Sequence, residues 1–431
     1  MGKEHLNPSA EGADESMWNV TDETAQDPEE QRVMFCALDS YLQYAKVSFF
    51  NVTHMRRQNF YALPQAHWMM LAGPPFNYLE TLDNVDECIR SNADLAETIV
   101  KFGLQSLGVT DVGPNGELTL PPQWKDCAKH ADVDKARSTL RQFYRDWSAE
   151  GAAERAACYG PVKRALTQEK ERRRREEGST DDRLKVLVPG AGLARLMFDL
   201  CVEGYGVEGN EISYHQLLAS SYVLNFCERA GQHTVHPWIH TFSNHKTRGD
   251  HLRGYKIPDV HCATGMARAG DGAGDMSMTA ADFLCYYESR KEEYDAVASV
   301  FFLDTAPNLI RYLQVIYHCL RPGGVLINVG PLLWHFENNP PGHHHHDDDD
   351  NDEGSSAGGE KDSNGIADPG SFELSDDEVM ALVEHVGFEI EFRETGIEAP
   401  YIQDPDSMLQ TVYRASSWVA RRPVKENEHR A

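Results

Sequence analysis

The sequence predicts an α/β fold: a Rossmann-like, doubly wound sheet of seven strands behind an N-terminal cap of helices. Three observations carry that expectation. The stretch 184–211, LKVLVPGAGLARLMFDLCVEGYGVEGNE, reads as strand, glycine turn, helix and strand ending in an acid. That order is the opening βαβ unit of a nucleotide-binding sheet. The run YDAVASVFFL at 294–303 is the strongest buried strand in the chain, and strand–helix alternation continues around it. Upstream of residue 165 the apolar residues run through long helix-like segments.

Taken in order, residues 1–30 are acidic and poor in apolar side chains, the composition of a disordered tail. The segment 33–50, VMFCALDSYLQYAKVSFF, suits a helix packed on several sides. Further helices are expected at 86–107 and 133–158, with a Gly/Pro-rich loop at 113–122, so 31–165 forms the cap. Within STLRQFYRDW at 138–147, Leu140, Phe143 and Trp147 make one apolar stripe, while Gln142 and Arg145 share another face. Spacing alone reads those two as solvated polar residues. The Glu/Arg run at 169–177 reads as a solvated helix end or linker.

In the βαβ unit, Val186-Leu187-Val188 is the strand and Pro189-Gly190-Ala191-Gly192 the turn. Gly190 and Gly192 let the backbone approach a ligand closely. After the helix 193–202 and the strand 205–207, Glu208 and Glu211 are both placed to accept hydrogen bonds from ribose hydroxyls. A helix is expected at 214–229. The irregular, histidine-rich stretch 233–275 is an insertion over the sheet edge or the site mouth. MSMTAADF at 276–283 brings in Asp282 and Phe283, and Asp304 stands at the C-terminal end of the strand 294–303. A helix at 307–320, the turn Arg321-Pro322-Gly323-Gly324 and a strand at 325–329 follow. Residues 339–370 form a low-complexity insertion loop, with His and Asp runs inside 343–368. Ser375 reads as an N-cap followed by acids, and Gly387 ends that helix. Segments 389–393 and 411–421 close the sheet as an antiparallel pair, so the sheet domain occupies 180–338 and 371–423.

Composition narrows the function. A formal charge of −27 repels a phosphate backbone and argues against nucleic acid as a partner. Nine scattered cysteines suit free thiols in a reducing compartment. No apolar run reaches the roughly 18 residues of a membrane span, so a cytoplasmic protein, or one also nuclear, is expected. His236 and His240 are four apart, but Pro237 between them breaks the helical pairing, and no acid or cysteine completes a zinc set. No metal is expected. The helical cap leaves surface for a homodimer.

The later strands sharpen the fold to the class I, seven-stranded methyltransferase sheet. Gly190-x-Gly192 follows strand one, Glu211 ends strand two, Asp282-Phe283 follows strand three, and a Pro-Gly-Gly turn precedes strand five. At the carboxyl ends of such strands Glu211 would hold ribose hydroxyls, Asp282 would accept from an adenine amino group, and Phe283 would stack on or edge the ring. The motifs STLRQFYRDWSAEGAAERAACYGPV, VLVPGAGLARL, GYGVEGNEISYHQLLASSYVLN, HPWIHTFSN, MSMTAADF, FFLDTAPN, LRPGG and NVGPLLWHFEN carry a closer likeness. From about Arg32 to the C-terminus, apart from the insertion after Asn338, the chain resembles the carnosine N-methyltransferase family. The resemblance implies transfer of a methyl group from S-adenosylmethionine to an imidazole nitrogen of carnosine or a related histidine-containing dipeptide. By it, Gln142, Arg145, Gly190, Glu211, Asp282 and Phe283 match cofactor positions, Arg145 facing the cofactor's carboxylate. Asp304, His335 and Tyr413 match substrate positions. Two departures are Ala194 at the third glycine position of the turn and Pro307 where the family carries histidine.

Methyl transfer needs a free imidazole lone pair in line with the sulfonium methyl. A carboxylate accepting from the other ring NH fixes the tautomer and stabilises the imidazolium. Asp304 is assigned that role, against the alternative of a helix N-cap. His335 would orient the substrate or relay a proton, and Tyr413 would offer its hydroxyl. Methylation of histidine within proteins or peptides, and a silent cofactor-binding regulator, are the competing readings.

Overall fold

The computed structural model describes residues 27–108, 118–176, 183–338 and 370–424. The expected tail up to residue 26, half of the 113–122 loop (113–117) and the insertion 339–369 lie outside them. Helix α1 (Pro28–Ser48) begins earlier than the sequence suggested. Asp27 caps it by accepting from the Glu29 amide, and Pro28 suits its first turn. Helices α2 (Met55–Tyr61), α3 (Gln65–Ala72) and α4 (Tyr78–Ser106) follow.

The helix expected at 133–158 is two helices, α5 (His130–Trp147) and α6 (Ala152–Glu176). The break has a local cause. Ser148 turns its hydroxyl back onto the Tyr144 carbonyl, and a side chain at Gly151 would lie 2.3 Å from that same oxygen. The Glu/Arg run ends α6, but it is not merely solvated. Glu169 is buried and accepts from Arg172, Arg173 and Arg421, so α6 is pinned to the last strand of the sheet.

The sheet strands are β1 (Lys185–Pro189), β2 (Gly206–Glu211), then past a small antiparallel pair β3 (His233–Val235) and β4 (Tyr255–Ile257), β5 (Met276–Ala280), β6 (Tyr294–Val300), β7 (Leu320–Gly330), β8 (Glu389–Pro400) and β9 (Val412–Arg421). Their order is β5-β2-β1-β6-β7-β9-β8. The first five run parallel, and β9 lies antiparallel to both β7 and β8. This is the seven-stranded arrangement the sequence predicted. Helices α7 (Arg195–Val202), α8 (Tyr214–Ser221), α9 (Arg248–His251), α10 (Cys262–Ala269), α11 (Phe283–Tyr287), α12 (Leu309–Cys319) and α13 (Asp376–Val386) connect the strands. The helix expected at 214–229 stops at Ser221 and continues as a wide turn to Phe226. The stretch 233–275 is more ordered than expected, since it contains β3, β4, α9 and α10. The Pro322-Gly323-Gly324 turn is a bulge near the start of β7, between the pairs Tyr294–Leu320 and Ala296–Val325. Ser375 and Glu378 form the expected capping box of α13, and Gly387 ends it at φ +113°.

One apolar core runs from α1, α4 and α5 into β1 and β2. A second lies on the opposite side of the sheet, under α11, α12 and α13. Cap and sheet are further locked by partly buried ions: Asp259 accepts from Arg155 of α6 at 2.9 Å and from Arg195 of α7 at 2.5 Å. The Trp147 indole donates to the Leu193 carbonyl at 2.9 Å, which sets the end of α5 directly on the glycine turn. No helix of the described residues is long and apolar enough to cross a membrane.

Candidate active site

Five parallel strands end on one edge of the sheet, and Gly190, Gly192, Glu211, Asp282, Phe283, Asp304 and His335 stand at or after those ends, whereas Gln142 and Arg145 lie on α5 and Tyr413 on the antiparallel β9. After β1 the chain turns through Gly190 and Gly192 at φ +63° and +56°. A Cβ at Gly190 would sit 2.8 Å from the Phe302 ring, whereas one at Gly192 would meet no protein atom within 4 Å. Gly190 is therefore needed for packing, and Gly192 leaves open space. Ala194 also takes a left-handed φ, +61°, just before α7. That conformation costs an alanine ~1–2 kcal/mol, and its fully buried methyl contributes to the core in return.

Glu211 ends β2 with its carboxylate turned back on the turn. It accepts from the amides of Gly192, Ile212 and Ser213, each at 2.9 Å. Burial raises its pKa, and those three amides oppose the rise. Gln216 of α8 stands between Glu211 and Gln142. With its amide nitrogen toward Glu211, at 3.1 and 3.2 Å, its oxygen accepts from Gln142 Nε2 at 3.2 Å. Gln142 is thus buried in a polar chain leading to Glu211, not solvated as its spacing suggested. Glu208 instead accepts from the Tyr287 hydroxyl at 2.9 Å, on the other side of the sheet.

A cavity between α5, α6 and the turn is lined by Arg145, Glu154, Gly190, Gly192, Phe301 and Tyr401, among others. Arg145 forks onto Asp146 at 2.7 and 2.8 Å, and its guanidinium carbon lies 4.9 Å from the centre of the Tyr401 ring. Tyr401, Phe301 and Tyr413 form one aromatic group, with centroid separations of 5.3 Å (Phe301–Tyr401), 5.8 Å (Phe301–Tyr413) and 6.3 Å (Tyr401–Tyr413). Phe301 is held at φ +53°, a strained backbone of the kind that clusters at functional sites. The loop after β8 is latched to the cap: both Glu154 oxygens accept main-chain amides, from Ile402 and Gln403, at 2.7 Å each.

Asp304 lies three residues beyond Phe301, buried, and its Oδ2 accepts from the Leu333 amide at 2.9 Å. Its carbonyl accepts from the His335 amide at 3.2 Å, so Asp304 and the exposed His335 are neighbours. Burial raises the Asp304 pKa. The N-cap alternative fails for Asp304, because Asn308 caps α12 by accepting from the Arg311 amide. Asp282 caps α11, accepting from the Cys285 amide at 2.9 Å. The Phe283 side chain departs from expectation. It is buried 5.2–5.4 Å from the Tyr287, Tyr312 and Phe302 ring centres, packed into the core and not laid across an open face.

Sequence reasoning missed Gln216, Glu154, Tyr401 and Phe301. Only the glycine turn and the end of the apolar strand gave local signals. The other contacts join residues far apart in the chain. Among the described residues no three His, Cys, Asp or Glu side chains cluster to hold a metal.

The model of the carnosine N-methyltransferase family matches residues 122–424. The chain is 32% identical to the carnosine N-methyltransferase of Mus musculus, over 93% of this chain and 89% of that one. It is 33% identical to the carnosine N-methyltransferase of Schizosaccharomyces pombe, over 92% of this chain and 97% of that one. Among solved structures, a SAM-dependent methyltransferase from Methanosarcina mazei aligns with a TM-score of 0.34 and 13% identity, over 58% of this chain and 97% of that one.

Proposed function

The chain belongs to the carnosine N-methyltransferase family, and from that premise we propose that it transfers a methyl group from S-adenosylmethionine to an imidazole nitrogen of carnosine or a related histidine-containing dipeptide. In this reading the helices of 31–165 form the cap, and 180–338 with 371–423 form the catalytic domain.

The residues at the strand ends fit the cofactor. Gly192 opens on free space, Glu211 presents a carboxylate fixed by three amides, and Arg145 lines the same cavity. Glu211, supported by Gln142 and Gln216, would take the ribose hydroxyls. Asp282 would take the adenine end, with Phe283 contributing its place in the first turn of α11 rather than an exposed ring. Bound S-adenosylmethionine supplies the electrophilic methyl group.

The observation that carries the reaction is Asp304: a buried carboxylate at the end of β6, fixed by the Leu333 amide and adjoining His335. A carboxylate so placed accepts from one imidazole NH, leaves the other nitrogen free to attack, and stabilises the cation that forms. His335 and Tyr413 would orient the ring, and the aromatic group of Phe301, Tyr401 and Tyr413 would keep water away. The cavity measures about 50 Å³, below the roughly 300–1,000 Å³ of ligand pockets in general. In this reading Arg145 and Tyr401 at its wall must move apart when ligands enter. The test is methyl transfer from labelled S-adenosylmethionine to carnosine, to free histidine and to a histidine-containing protein mixture. Labelling confined to macromolecules would overturn the small-molecule reading.

A further inference from the structure

Arg141 stands one helical turn before Arg145 on α5, so the two side chains leave the same side of the helix. Their surroundings differ. Arg145 has Asp146 as a partner at 2.7 and 2.8 Å. Arg141 has its Nε buried with no hydrogen-bond partner, and its guanidinium carbon lies 5.7 Å from the centre of the Trp238 ring. The charged groups near it are Arg137, which repels it, and Glu154. Glu154 already spends its two oxygens on the Ile402 and Gln403 amides. Burial and the repulsion of Arg137 lower the Arg141 pKa, only partly opposed by Glu154.

A second unused donor lies in the same region. The Asn92 side-chain amide donates to the Tyr44 hydroxyl at 3.0 Å, which leaves that hydroxyl to donate to His240 Nε2, also at 3.0 Å. In the tautomer that this arrangement allows, with Tyr44 donating to Nε2, His240 carries its proton on Nδ1, which is buried with no partner. Burial, with Arg137 and Arg141 nearby, pulls its pKa down to about 3, so the ring is neutral at physiological pH. The Arg141 Nε–H and the His240 Nδ1, both buried and without a partner, leave a cationic side chain and an imidazole nitrogen that an anionic ligand would satisfy.

We infer that Arg141, assisted by His240, binds the carboxylate of the dipeptide substrate. The inference rests on the proposed function and adds to it the subsite that distinguishes the dipeptide from a bare imidazole. Tyr401 connects the two regions: its ring lies beside Arg145 and Phe301, and Arg145 is one helical turn from Arg141. In carnosine the carboxylate is on the residue that bears the imidazole, a few bonds from the ring. Holding it at Arg141 therefore limits how the ring can turn at Asp304.

The test compares carnosine with its decarboxylated analogue, β-alanylhistamine, on the unaltered enzyme, Arg141→Met and Arg141→Lys. The unaltered enzyme is expected to favour carnosine in kcat/KM on the order of 10–100-fold, the worth of one charge-assisted hydrogen bond. Arg141→Met is expected to lose that preference through KM, with S-adenosylmethionine affinity unchanged and a melting temperature no lower than before. Arg141→Lys is expected to restore part of it. An unchanged preference in Arg141→Met overturns the subsite, as does a fall in melting temperature with equal losses on both substrates. If the unaltered enzyme methylates neither compound, the proposed function itself fails.

Discussion

Replacing Asp304 by asparagine keeps the size of the side chain and an oxygen to accept from the Leu333 amide, but removes the charge. Asp304 is 4% exposed, so its attraction to an imidazolium acts through an effective dielectric well below that of water. At about 4 Å and an effective dielectric near 20, that attraction is roughly 4 kcal/mol. It is gained mainly as the ring becomes cationic, so it appears in kcat. At ~1.4 kcal/mol per decade, Asp304→Asn is expected to lower kcat on the order of 1,000-fold, with little change in cofactor affinity. Single-turnover methyl transfer at saturating cofactor and carnosine measures this. Stability should move the other way. The folded-state pKa of Asp304 is raised, so the stability it contributes is fully present below its unfolded pKa and is lost as pH rises through the folded value. Asp304→Asn should therefore gain stability relative to the parent on going from acid to neutral pH. A variant retaining more than a fifth of the parent kcat would refute the assigned role.

Three further outcomes follow from the same geometry. Gly192→Ala places a methyl group in open space at φ +56°, so it should cost only ~1–2 kcal/mol of stability yet weaken S-adenosylmethionine binding at least tenfold, as read by calorimetry. Glu154→Ala leaves the Ile402 and Gln403 amides without their acceptor, each loss worth ~1–3 kcal/mol; hydrogen exchange over 401–411 should accelerate and the KM for carnosine should rise. The kcat/KM profile should fall below about pH 6.5 as free substrate imidazole protonates, and should carry a second acid limb above the ordinary aspartate range, set by Asp304 of the free enzyme, that Asp304→Asn removes.

What the sequence revealed was what short-range physics encodes. The run Val186-Leu187-Val188, the glycine turn and the acid ending β2 are local signals, and the structure reproduces them with Glu211 folded back on Gly192. The capping box at Ser375 and Glu378 was legible for the same reason. The break between α5 and α6 was not, because the apolar pattern continues across it; Gly151 was the available clue. The Gln142 face looked solvated because its burial comes from Gln216, 74 residues away. Glu154 meets Ile402 across 248 residues, and no periodicity encodes such a contact. Phe283 could be placed at the right strand end, but the direction of its ring was decided by Phe302, Tyr287 and Tyr312.

The most direct test supplies the purified chain with S-adenosylmethionine bearing a labelled methyl group and with carnosine, then locates the label in the product by nuclear magnetic resonance. The expected product is carnosine carrying the label on an imidazole ring nitrogen, formed by the parent and nearly absent with Asp304→Asn. Label on the β-alanyl amine, or equal ring methylation by the Asp304→Asn protein, would contradict an imidazole methyl transfer directed by Asp304.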